Sequence, residues 1–116
     1  MKASDPIPTA LAVIASLFRR ENYQKHALDI EKLREAGLSP DAGQQQQFHS
    51  AITQNNWYWL GMGTIADISF RDRELNREFV HAYFDLASAC ESAGLGSIYS
   101  RNVRDVFGGW IRRGAV

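Results

Sequence analysis

The chain has 116 residues, 45% of them hydrophobic and 11% aromatic, and its 13 Lys and Arg are balanced by 13 Asp and Glu. That length suits one domain over residues 1–116, with apolar content for one core and no room for a second. The charge balance removes the electrostatic drive behind nonspecific nucleic-acid binding, so no nucleic-acid partner is expected. The lone cysteine, Cys90, rules out an internal disulfide. Its apolar helical setting predicts a buried structural thiol in a cytoplasmic protein, although a periplasmic protein without disulfides has the same composition.

The apolar run Ile7 to Phe18 invites comparison with a signal-peptide core. Its flanks are wrong for one, with Asp5 and two prolines before it, Arg19 and Arg20 after it, and no small-x-small cleavage pattern. A membrane span needs about 20 residues, more than this run offers, so no membrane association is expected. The run predicts a first core helix started near Pro6 and Pro8, with Ile7, Leu11, Ile14, Ala15 and Phe18 on one face.

A second helix is predicted from about Asn22 to Ala36, with Tyr23, Ala27, Ile30 and Leu33 inside and Gly37 as its stop. Ser39 is the expected N-cap of a third helix, Pro40 its first residue, and the helix runs to about Gln54. Its buried side is Phe48, Ala51 and Ile52, and the Gln44 to Gln47 run is a solvated face. Asn55 and Asn56 break it, because their side chains compete for backbone hydrogen bonds.

The segment Trp57 to Phe70, WYWLGMGTIADISF, is the most distinctive of the chain. Trp57, Tyr58 and Trp59 cannot all face one way. Gly61 and Gly63 flank Met62, a spacing suited to a tight turn. It lacks the longer glycine framework and the Lys-Ser/Thr pair of a phosphate loop. Asp67 is expected to accept backbone N–H groups of that turn, which makes Trp57, Gly61, Gly63 and Asp67 one structural unit. Residues Thr64 to Phe70 alternate as a short extended segment does and equally suit a helical turn, so a small β-hairpin at Ile65 to Phe70 competes with the all-helical reading.

The longest helix is predicted over about Asp72 to Ala93, with Leu75, Phe79, Ala82, Tyr83, Leu86 and Cys90 as its core side and Gly94 closing it. His81 has only Glu78 at a ligand spacing, and His26 and His49 are isolated in sequence. No metal, cofactor or catalytic residue is therefore assigned. A glycine-rich joint leads to a last helix from Ser100 to about Trp110, whose end carries Arg101, Arg104, Arg112 and Arg113 against Asp105. The fold class expected is all-α: a single-domain bundle of about five helices, the fourth packed centrally against the first three, with the aromatic/glycine loop between helices 3 and 4.

A helical hairpin, a tryptophan, then Gly61-Met62-Gly63-Thr64 with Asp67, then a helix opening at Asn76 resembles a small bacterial domain family with a GGMGS-x-x-D loop. The likeness runs over about Tyr23 to Ala93, with Leu60 in place of the family's first glycine and Thr64 in place of its serine. Such domains resemble the immunity and accessory proteins encoded beside bacterial toxins. The resemblance implies a non-catalytic protein-binding domain, an immunity or antitoxin-like inhibitor of a toxin enzyme. The alternative is a small enzyme or ligand-binding domain with a pocket around Asp67 and the Trp57 to Gly63 loop. The expected partner surface is the acids Asp29, Glu31, Glu35 and Asp41, which would meet a basic cleft. The same acids also suit an ordinary solvated face paired with Lys32 and Arg34. Oligomeric state is left open.

Overall fold

Capping chemistry divides the chain into five α-helices, α1 Pro6–Arg20, α2 Gln24–Leu38, α3 Ala42–Gln54, α4 Arg73–Ser92 and α5 Ile98–Arg112, with one 3-10 turn at Asn56–Tyr58. A computed structural model describes all residues, Met1–Val116. Pro6 and Pro8 sit in the first turn of α1, where a missing N–H costs nothing. The α1 terminus turns on Asn22, which takes φ +62° while Tyr23 N–H donates back to the Phe18 carbonyl at 2.8 Å. Asn is the non-glycine residue best suited to that left-handed position.

Three boundaries differ from expectation for identifiable reasons. Helix α2 runs through Gly37, which is buried inside the helix instead of ending it. A β-carbon at Gly37 would lie 2.9 Å from the Phe48 ring, so the glycine permits close approach of α3. The N-cap of α3 is Asp41, not Ser39. The Asp41 carboxylate accepts from Gln44 N–H at 2.9 Å, and the Ser39 hydroxyl accepts from Asp41 N–H at 3.1 Å. Asp, with the better-placed acceptor, takes the cap, and Pro40 stays outside the helix. Helix α5 also begins earlier than expected, at Ile98, because Ser97 and Ser100 form a reciprocal capping box.

Residues Ile65 to Phe70 contain no strand; they are turns and bends, so the competing hairpin is absent. Helix α4 is not the sole centre. It packs against α1 and α5, and α1 packs against α2 and α4, while α3 lies on α2. The order of packing is therefore α3–α2–α1–α4–α5, with α1 and α4 as the inner pair. Phe18 near the end of α1 meets Phe79 near the start of α4, with ring centroids 5.3 Å apart, which sets these two helices antiparallel.

The five helices share one core of 27 buried hydrophobic residues. The radius of gyration, 13.3 Å, matches the roughly 13.4 Å of a folded chain this long. Phe18, Phe70, Phe79, Tyr83 and Trp59 form its aromatic spine, in edge-to-face pairs 5.1 to 6.2 Å apart. No helix is long and apolar enough to cross a membrane.

Candidate functional site

The aromatic/glycine loop is tied to three different helices. Trp57 lies over α2: its indole N–H donates to Asp29 Oδ2 at 3.1 Å, the His26 ring lies 5.6 Å away and the Lys25 ammonium 5.5 Å above its face. Trp59 is fully buried and donates to the Ile52 carbonyl of α3 at 2.9 Å. The Tyr58 carbonyl accepts the hydroxyl of Tyr83 on α4 at 2.9 Å. The two indoles thus diverge to α2 and α3, while the backbone between them is held to α4 through the Tyr58 carbonyl.

Within the loop, Gly63 adopts φ +76°, and its N–H donates to Asp67 Oδ2 at 3.1 Å. The Gly61 carbonyl accepts both the N–H and the hydroxyl of Thr64, at 3.0 and 2.7 Å. Ile65 N–H closes the loop onto the Trp57 carbonyl at 3.0 Å. Asn76 on α4 accepts from Phe70 N–H at 3.1 Å and holds the far end. Every buried side-chain nitrogen and oxygen in the molecule has a partner. Neither of the two main surface hollows is lined by residues 57 to 67. Met62 stands fully exposed at the tip.

The four acids named from sequence do not form one free patch. Asp29 holds the Trp57 indole, Glu31 is paired with Arg19 across to α1, and Asp41 caps α3. Glu35 alone is exposed with neither an ion pair nor a side-chain hydrogen bond. Arg34, expected to pair with these acids, donates instead to the Pro8 carbonyl at 3.0 Å.

The histidines lie on separate helices, and no group of three or more His, Cys, Asp and Glu side chains comes together. His26 is enclosed by Phe18, Tyr23 and Trp57. Burial lowers its pKa below 6.5; the Asp29 carboxylate opposes that shift and Lys25 adds to it. Burial, with Asp29 nearby, raises the Tyr58 phenol. Cys90 is buried in the core, which pushes its thiol up to about 12, away from the thiolate form that reacts.

A wide concavity lies elsewhere, in an open groove of about 1060 Å³ between α1 and α4. Pro6, Ala10 and Val13 line its α1 wall. Along α4 the lining recurs every three or four residues, through Glu78, Ala82, Asp85, Ala89 and Ser92, so one continuous helix face forms the other wall. The side chains at its base are small, and Phe84 bounds it toward α5, where it fills the space beside Gly108. Val13 and Met1 remain 42% exposed at its edges. The charged side chains in the lining are Asp5, Glu78 and Asp85, with no Lys or Arg among them. Arg20 approaches Glu78 to 3.9 Å in an exposed pair, and Asp5 also accepts Lys2 N–H at 2.8 Å.

Sequence reasoning gave His81 no ligand role and passed over Val13, Asp85 and Ser88 altogether. The available signal was the second periodic face of α4, small and weakly polar beside its strongly apolar one. A smaller hollow, about 440 Å³, lies between Arg73 and Arg77 of α4 and the 114–116 segment. No protein-family model, curated protein or solved structure matches the chain.

Proposed function

We propose that this protein is a non-catalytic protein-binding domain that inhibits a partner enzyme by occupying it, as immunity and antitoxin-like proteins do, and that its docking surface is the α1/α4 groove. The observation that carries this reading is the groove itself: a concave, largely apolar surface on the two inner helices, with apolar side chains left in water at its edges. The likeness of the Gly61 to Asp67 segment and its following helix to domains of the immunity type supports the inhibitory role. The bonding of Asp29, Glu31 and Asp41 within the fold moves the favoured interface away from α2.

The test begins with a photo-crosslinking residue at Val13 and, as a control, at Gln46 on the exposed face of α3. The protein captured at Val13 is then purified and assayed alone and with equimolar inhibitor. Saturable binding with loss of that protein's activity is expected, and the Ala89→Arg variant should bind at least tenfold more weakly. Binding that leaves the captured protein's activity intact would remove the inhibitory role, and absence of saturable binding would remove the docking surface.

A further inference from the structure

Resting on that docking surface, we propose that its occupant is an amphipathic helix of the partner protein, about four turns long, with Lys or Arg flanking its apolar face. The shape of the groove selects a helix. Two antiparallel helices wall it, and the furrow between such a pair is the natural seat of a third, whose side chains enter between the ridges of both. Ala10, Ala82 and Ala89 at the base let the backbone of that third helix come close. The α4 wall runs from Glu78 to Ala93, about 22 Å at 1.5 Å per residue, which matches about four turns of an incoming helix.

Charge then selects the flanks. Asp5, Glu78 and Asp85 stand along the groove without a lining Lys or Arg, while the whole chain is neutral. Arg20 reaches Glu78 from the end of α1 in an exposed pair at 3.9 Å, while Asp5 and Asp85 have no side-chain ion pair, and Arg73 and Arg77 at the start of α4 lie outside the groove lining. An acidic groove favours a basic-flanked helix in encounter rate and in discrimination against wrong partners. The same charges disfavour a second copy of this chain as occupant. A symmetric dimer through this face would bring two such carboxylate rows together.

The probes are three 18-residue peptides of equal length: a helix with leucines at three- and four-residue spacing and lysine flanks, the same helix with glutamate flanks, and a permuted lysine peptide with no apolar face. Binding is followed by fluorescence anisotropy, and the contact surface by amide chemical shifts of the labelled protein. The lysine helix is expected to bind at least tenfold more tightly than the other two, to weaken as salt is raised, and to shift amides confined to residues 5–13 and 78–93. The double variant Glu78→Lys with Asp85→Lys should reverse the preference between the lysine and glutamate helices. A second pair, Glu78→Gln with Asp85→Asn, should merely erase it, which guards against a folding effect of charge reversal.

Equal binding of lysine and glutamate helices would overturn the charge selection while leaving the groove as a docking surface. Shifts centred outside the groove would overturn the proposal, as would self-association of the protein that the lysine helix fails to displace. If no peptide binds and crosslinking at Val13 captures nothing that binds saturably, the docking surface falls with it.

Discussion

The aromatic/glycine loop and the α1/α4 groove differ in how fully each satisfies itself. In the loop, Trp57 and Trp59 reach different helices, the Tyr58 carbonyl takes the Tyr83 hydroxyl of α4, Asp67 takes the N–H freed by the turn at Gly63, and the buried polar atoms are paired. In the groove, apolar side chains meet water, and Asp5 and Asp85 stand without a side-chain ion pair. Conspicuous residue types thus went into holding the fold together, whereas a face of alanines, serines and scattered acids lines the open groove. A rare side chain in a sequence marks a demanding structural task at least as readily as a functional one.

The largest test of that contrast is Trp59→Ala. The ring is fully buried against Tyr83 and its N–H serves the Ile52 carbonyl, so its loss leaves a cavity and an unserved acceptor. Denaturant unfolding should register a cost of about 3–5 kcal/mol, a large fraction of the stability of an ordinary domain. A small cost would mean that the loop is less deeply anchored than its geometry implies.

Next comes Gly37→Ala. Its new methyl would sit 2.9 Å from Phe48, and overpacking of this kind costs about 1–3 kcal/mol. The combination with Phe48→Leu should recover part of that loss, a non-additivity that a double-mutant cycle measures directly. Additive costs would show that the two residues do not share one space.

Gly63→Ala should cost about 1 kcal/mol, because φ is +76° there while nothing crowds the added carbon. Affinity for the lysine helix, measured on the folded fraction, should not change. A stable Gly63 variant with lost affinity would transfer function to the loop and reverse the comparison.

His26 provides the smallest effect on stability. Its folded pKa lies below the unfolded value of 6.5, so the unfolded chain binds the proton more readily. The stability tied to its neutral form is complete above about pH 6.5 and declines as pH falls through 6.5 toward the folded pKa. His26→Phe should flatten that part of a stability-against-pH curve. An unaltered slope would place the acid sensitivity on other groups.

Much of the architecture was legible because periodicity and caps are local. The apolar faces of α1 and α4, the Asp72 end of α4 and the Gly94 stop all follow from short-range patterns. Gly37 misled because a glycine near a helix end resembles a stop, and only the arrival of Phe48 from α3 shows its packing role. Ser39 misled because two capping-competent residues, Ser39 and Asp41, flank Pro40, and the choice between them depends on which side-chain oxygen reaches Gln44 N–H. The groove was illegible for a different reason. It is defined by what does not cover Val13 and Asp85, and packing order α3–α2–α1–α4–α5 is a property of the assembled helices. The acids of α2 looked free because their partners, Arg19 and Trp57, come from other elements.

The most direct measurement of the central claim is the affinity of the lysine helix for Ala89→Arg, taken with that variant's unfolding free energy. Ala89 is half-buried at the groove, where a long side chain can block the seat while reaching into solvent. Unfolding free energy within about 0.5 kcal/mol of the parent, with affinity at least tenfold lower, is the predicted result. Parental affinity in the folded variant would contradict it, and the α1/α4 groove would not be the surface through which this protein binds.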